Sequence, residues 1–366
     1  LRALVSFGFA SFTLGCADLA SIEEKVLIEE KVPIEEPSSA RPPGPPGPSP
    51  ETFSSMEVWF AARNIWFGMS HRGTKERDLE GWRKIGWDLD GLSTSYEQAV
   101  SGKTGHCFSY GSPDAIQDGD DGRDNAIGAS GFRDLGGFDP NAEYDMNNGI
   151  GNGASTLLLR LEGVNDWQND ESVRGTLYFS THDLKTGPVP KWDGSDERRV
   201  SAFSFAPGSN VPFAKLPNGY IRDGVWVSGE QHVSQVTFSM PIYPQGQTPA
   251  ILMQARGRHG WLTARLSDGA GGPGTMGFAS TKQEVLDTII PGIAAVIAAG
   301  CDSNGAAENV ADQYAEHTDL SSFEPWKPNP DVECDSLSWA FDLDWRPIKF
   351  GIVEKPVIEE IRDCFE

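Results

Sequence analysis

Residues Leu337 to Trp345 read LSWAFDLDW, and the alternation inside them points to the fold class. Leu337, Trp339, Phe341, Leu343 and Trp345 fall on one side, with Ser338, Ala340, Asp342 and Asp344 between them. A period of two with one apolar and one polar face is what a half-buried antiparallel strand requires. From Ala154 onward the same kind of signal recurs in TLLLRLEGV, RGTLYFST, VSAFSFA, DGVWVSG, QVTFSMPI, AILMQAR and GWLTARLS. Clusters of Gly, Pro, Asn and Asp separate these runs, as turns do. Many strands at short spacing predict a mainly β protein, an antiparallel two-sheet sandwich of the jelly-roll or concanavalin-like kind. One segment breaks the pattern. Thr281-Lys282-Gln283-Glu284 is a capping box that opens an apolar helix running to about Gly300, and a second helix is expected from Ala306 to about His317. The sandwich therefore carries a helical insertion near residues 281–317.

Composition agrees with this class. The 366 residues include 41 Gly, 25 Pro and 11 Trp, a mixture suited to short strands and tight turns rather than to a helical bundle. Against 53 acidic residues stand 30 basic ones, giving a net charge of -23. Such a surface repels phosphate backbones, which argues against nucleic acid as a partner. It attracts cations. Residues 56–110 contribute Trp82, Trp87, Tyr96 and a GWDLDG turn. Nothing resembling a linker separates them from the strand-rich remainder of the chain, so residues 56–366 are expected to form a single domain.

The front of the chain carries an address. LRALVSFGFASFTLGC has one basic residue, Arg2, ahead of an apolar run that ends in Leu14-Gly15-Cys16. This is a secretory signal in outline, with Leu-Gly-Cys placed like the end of a bacterial lipobox and Thr13 where that pattern prefers Leu. Cys16 is then the expected lipidation site. From residue 17 to 55 runs a charged repeat, IEEKVLIEEKVPIEEP, followed by SSARPPGPPGPSP. So much Pro excludes helix and central strand, and the segment is expected to be a disordered, extended stalk. At about 3 Å per residue it could reach on the order of 100 Å from a membrane. Of five cysteines, Cys107, Cys301, Cys334 and Cys364 remain after Cys16. An even number in an exported chain predicts two disulfides with three pairings open, of which Cys301 with Cys364 is the expected one.

Most motifs fail on context. Gly272-Pro273-Gly274-Thr275-Met276-Gly277 fits the dinucleotide pattern in form, but a strand-like MGFAS stands where a helix is needed. Ser101-Gly102-Lys103-Thr104 lacks the earlier glycine of a phosphate loop, since Glu97 stands there. There is no nucleophile elbow and no zinc helix. Asp342 and Asp344 are the neatest carboxylates for a glycosidase pair, with a solvated strand face as the plainer explanation.

The densest acidic stretch is DGDDGRDNAIG, residues 118–128. Asp118, Asp120 and Asp124 sit at i, i+2 and i+6, with Gly119 and Gly122 permitting tight bends. Calcium takes six to eight oxygen ligands, and short acidic loops supply them. The helix–loop–helix calcium pattern fails here, because Ala129 stands where a bidentate Glu is needed. A second acidic turn, Trp87-Asp88-Leu89-Asp90-Gly91, could fold against the first and complete a shell. Asp88, Asp90, Asp118, Asp120 and Asp124 are therefore the candidate calcium ligands. The alternative is an Asp/Gly turn in which Asn125 caps backbone groups.

WDLDG, a Cys, DGDDGRDNAIG, TLLLRLEG and a late ECDSLS together resemble a set of uncharacterised exported lipoproteins common in myxobacterial genomes. The resemblance spans most of residues 86–345. It implies export and a shared fold, and no activity is established for that set. Leu92 and Ser93 stand where those relatives often place a cysteine after DLDG.

The expected function is a binding or structural role for a lipoprotein anchored in the bacterial envelope, at the outer membrane. Its partners would be the membrane through the lipid, and a polysaccharide or an envelope protein. The alternative is a secreted-type glycan hydrolase. A binder should present an exposed aromatic platform, whereas a hydrolase should present two facing carboxylates in a cleft.

Overall fold

The computed structural model describes residues 40–47, 56–102, 107–133, 140–181, 188–206, 208–229, 236–242, 251–289, 316–321, 329 and 331–354. Cys16, Cys301, Cys364 and the expected helix from Ala306 lie outside these, as do residues 1–39 and 48–55 of the expected signal and stalk. Among the described residues the chain is mainly β, with 38% strand against 19% helix. The twelve strands among the described residues are β1 Glu57–Trp66, β2 Leu157–Glu162, β3 Asn169–Asp170, β4 Arg174–Phe179, β5 Glu197–Ser201, β6 Ala214–Leu216, β7 Tyr220–Arg222, β8 Val225–Val227, β9 Val236–Ile242, β10 Ile251–Arg265, β11 Pro273–Thr281 and β12 Ser336–Glu354. They form one hydrogen-bonded sheet in the order β3-β7-β8-β10-β11-β12-β1-β2-β4-β6, with β9 on β10 and β5 on β12. All pairings of these strands are antiparallel except that of β5 with β12.

The expected antiparallel β class is present, as a single curled sheet, a half-barrel. Side chains on its concave side draw distant strands together. Trp226 of β8 is fully buried and donates its indole N–H to the Val173 carbonyl at 2.9 Å, just ahead of β4. Gly175 of β4 leaves the room: a Cβ there would stand 2.4 Å from the Trp226 ring. The core inside the curl gathers Phe60, Leu159, Leu177, Leu262, Met276, Phe278, Leu343 and Trp345 from six strands. Burying such side chains contributes roughly 1.5–3 kcal/mol each.

β12 organises the sheet. Its alternation matches expectation on the apolar side, where Trp339, Leu343 and Trp345 enter the core. The other side is not a solvated face. Ser338 and Ala340 are completely buried, covered by the 82–126 region, and only from Asp342 onward does that side open partly. β11 pairs β12 along one edge from Ser336 to Asp344, whereas β1 reaches only from Asp342 to Ile348 on the other. The N–H groups this leaves must find partners elsewhere. Ser338 N–H goes to Asp319 Oδ1 at 2.8 Å and Ala340 N–H to Asn125 Oδ1 at 3.0 Å.

β1 ends in a similar arrangement. β2 pairs it only over Glu57–Ala61. Beyond that, Asn147 on the helix Ala142–Gly151 accepts the Ile65 N–H at 2.7 Å and donates to the Ile65 carbonyl at 2.8 Å. From the same helix, buried Glu143 accepts the N–H groups of Phe67 and Met69 and the Ser70 hydroxyl. The capping box at Thr281 is formed, with Thr281 Oγ1 accepting Glu284 N–H at 3.1 Å. The helical turn it opens is described as far as Ile289. In the glycine-rich Gly272–Gly277 stretch, Pro273 onward already belongs to β11, so a strand stands where a dinucleotide site needs a helix. A disulfide joins Cys107 to Cys334 across 227 residues, the bond that a Cys301–Cys364 pairing would leave. The stalk boundary needs one correction: residues 40–47 lie on the body, with Ala40 buried, although a disordered stalk to residue 55 was expected.

Candidate functional site

The two acidic turns do fold against each other. Trp87 and Asp124 form an antiparallel bridge in which Asp124 N–H donates to the Trp87 carbonyl at 3.0 Å. Asp124 Oδ2 accepts the Leu89 N–H at 2.6 Å, locking one turn to the other. Asp90 Oδ1 accepts the Leu92 N–H at 2.8 Å, and Asp118 Oδ2 accepts the Thr94 N–H at 2.5 Å. Carboxylate oxygens of Asp88, Asp90 and Asp124 come within 4.8 Å of one another. Asp90, Asp118 and Asp124 are buried and Asp88 is half-buried.

Glycines allow this approach. Gly122, at φ 78°, passes the other turn so closely that a Cβ would be 2.5 Å from the Leu92 carbonyl oxygen. Asp121 just before it also has positive φ, 58°. This reversal sends Asp120 and Asp121 to solvent while Asp118 and Asp124 face inward. Of the five candidate ligands, Asp118 and Asp120 lie outside the group of three: Asp118 stays buried beside it, and Asp120 faces solvent. Its carbonyl accepts from Arg123 Nη1 at 2.8 Å. Asn125 does cap backbone groups. Its amide donates toward the Trp82 and Ile85 carbonyls and its oxygen accepts from Gly128 and Ala340.

A further buried carboxylate, Asp319, lies beside these, and nothing in its surroundings HTDLSS marks it in the sequence. Its side chain accepts from the Ser338 N–H and hydroxyl. Its carbonyl lies 3.6 Å from Cys107 Sγ, so the disulfide supports the segment that carries it. Burial raises the carboxyls of Asp88, Asp90, Asp118, Asp124 and Asp319, and for the last four the neighbouring carboxylates add to the effect. Asp90 is pushed up to about 6 and Asp319 to about 7. Asp118 and Asp124 are raised well above the usual carboxylate range for the same reasons. Asp88 is raised by burial, opposed by Arg41, whose Nε is 3.4 Å away.

Carboxyl groups gathered in one buried place cannot all stay ionised on their own: either some take up protons or a cation binds among them. The donors are all hard oxygens. Ligand atoms around a calcium ion at 2.3–2.6 Å stand at most about 5 Å apart, a span the Asp88, Asp90 and Asp124 oxygens satisfy.

Asp342 and Asp344 face different surroundings. Asp342 is ion-paired with Arg72 and accepts from Thr275 Oγ1 at 2.6 Å, and burial raises its carboxyl despite the arginine. Asp344 is 3.0 Å from Arg346 Nη2. Each carboxylate is thus neutralised by its own arginine, an arrangement suited to holding strands together. The tryptophans are mostly structural: Trp59, Trp82, Trp87, Trp226, Trp261, Trp339 and Trp345 are all buried. A search of known protein families, of curated proteins and of solved structures finds no match to this chain.

Proposed function

We propose that this protein is a calcium-stabilised binding protein of the bacterial envelope, exported and held at the outer membrane by lipid on Cys16. The observation that carries the cation reading is the convergence of Asp88, Asp90 and Asp124 within 4.8 Å, flanked by Asp118 and Asp319. The ion would neutralise the buried carboxylates and fix the loop layer over β11 and β12. Export is supported by Leu14-Gly15-Cys16 and by the Cys107–Cys334 bond, since disulfides persist in oxidising compartments. The resemblance to exported myxobacterial lipoproteins points the same way. Glycan hydrolysis is less well supported, because the acidic cluster is buried and tighter than the roughly 5–9 Å that a glycosidase pair spans. As ligand, a polysaccharide finds its best surface at half-exposed Phe350, stacked on Trp59 at 4.8 Å with Tyr178 beyond. Val200 of β5 and Ile348 of β12 pack beside Trp59 and Tyr178 on this face of the sheet.

A calcium titration tests the site. An ion that binds only the folded chain raises its melting temperature by linkage, about 2.7 kcal/mol at a hundredfold excess over Kd. Asp124→Asn should remove that response and Asp120→Ala should leave it intact. Equal responses in the two variants, or none in the parent, would sink the site. The anchor has its own test: Cys16→Ser should move the protein out of the membrane fraction and abolish incorporation of labelled palmitate. Unchanged fractionation, with no lipid on the parent, would count against it.

A further inference from the structure

The proline-rich segment Ala40–Gly47 is seated on the body by contacts at three successive points. The Ala40 carbonyl accepts the Asp88 N–H at 2.8 Å. Arg41 pairs with the Asp88 carboxylate, and its guanidinium lies over Gly91, where a Cβ would be 2.7 Å from Nη2. The Pro43 carbonyl accepts the Tyr220 hydroxyl at 2.7 Å. Pro42 and Pro43 are half-buried, while Gly44, Pro45 and Gly47 are exposed. The grip is thus on the arginine and the first two prolines.

Chemically these contacts match one mode of peptide recognition. Proline residues lack an N–H and have φ fixed, so a proline run offers carbonyls at little conformational cost. Proteins that read such runs use aromatic side chains for the prolines, and an acidic residue suits a flanking arginine. Here Tyr220 of β7 supplies the aromatic hydroxyl and the Asp88 turn supplies the acid. We infer that the surface between the Gly86–Gly91 turn and Tyr220 is a binding site for an arginine-led proline-rich peptide, occupied in cis by Ala40–Gly47. The inference stands on the Ala40, Arg41 and Pro43 contacts, and because Asp88 is also a proposed calcium ligand it is tested in calcium-free buffer. It gives the segment two states, seated and released, and so lets the site exchange its own segment for one of the same chemistry. Because the cis segment is tethered, a free peptide competes only at about millimolar concentration.

Hydrogen exchange of the Asp88 amide in the full chain reads the seated state directly, since that N–H is bonded to Ala40. Arg41→Ala and Tyr220→Phe should each speed its exchange about tenfold or more, while the amides of β11 and β12 keep their protection. Millimolar synthetic peptide of sequence ARPPGPPG added to the Arg41→Ala chain should restore protection, and the same peptide with alanine in place of arginine should not. Unchanged Asp88 exchange in both variants would show that these contacts do not hold the segment. Faster exchange that the peptide fails to reverse would make the segment part of the fold and not a ligand. Either result overturns the inference.

Discussion

Replacing Asn125 by alanine is expected to cost about 3–5 kcal/mol of stability, since buried groups left without partners cost about 1–3 kcal/mol each. Asn125 is 1% exposed and joins three pieces of chain. Its amide nitrogen donates to the Trp82 and Ile85 carbonyls at 3.3 and 3.4 Å. Its oxygen accepts the N–H of Gly128 at 3.1 Å and that of Ala340 at 3.0 Å. The last bond matters most, because it satisfies the edge of β12 that β1 does not reach. Alanine would strand two N–H and two carbonyl groups between the loop layer and the sheet. Asn125→Asp should not rescue the loss. It keeps the acceptor but turns the donor into a carboxylate oxygen facing two carbonyls, beside the buried Asp124. Denaturant unfolding should show the midpoint falling at nearly constant slope. A loss under about 1 kcal/mol would mean that water takes the place of the amide.

How far the sequence could be read depended on whether one face of an element or both were covered. β12 was legible because its core face alternates cleanly from Leu337 to Trp345. β1 was not. Phe60, Ala62 and Ile65 face the main core while Trp59 and Ala61 face a second cluster on the other side, so no period of two survives. The curl of the sheet was equally hidden, because it rests on contacts such as Trp226 with Gly175 that no local pattern encodes. Both acidic turns could be recognised by their Asp and Gly content. Which carboxylates turn inward could not, because positive φ at Asp121 and Gly122 sets that direction. Asp319 left no local signal. Its role depends on the unpaired Ser338 N–H, which exists only once β1 is seen to stop short.

Raising the pH from about 5 to 8 in calcium-free buffer is expected to destabilise the protein, and calcium should reverse most of that loss at pH 8. Burial, reinforced by neighbouring carboxylates, pushes Asp90 up to about 6 and Asp319 up to about 7, with Asp118 and Asp124 raised in the same direction. In the unfolded chain all four titrate near the ordinary value of about 4. Between these limits the folded state holds more protons than the unfolded one, so stability falls as pH rises. The contribution is fully present below about 4 and is lost as pH passes through the folded values near 6 and 7. At about 1.4 kcal/mol per pH unit of displacement, and with groups that share neighbours and so do not add, the total is on the order of 4 kcal/mol. For a chain of this size that corresponds to a melting temperature lower by roughly 10 °C. Calcium binds the ionised carboxylates, so it should raise the melting temperature strongly at pH 8 and little at pH 5. Asp124→Asn, which cannot ionise, should flatten the pH profile and remove the calcium response together. The high net negative charge also disfavours the folded state at alkaline pH, but it is spread over the whole surface and should be screened by salt. The buried cluster should not be. A pH dependence that vanishes in high salt, or a calcium response of equal size at pH 5 and pH 8, would place the effect on the surface and leave the five aspartates as a purely structural knot.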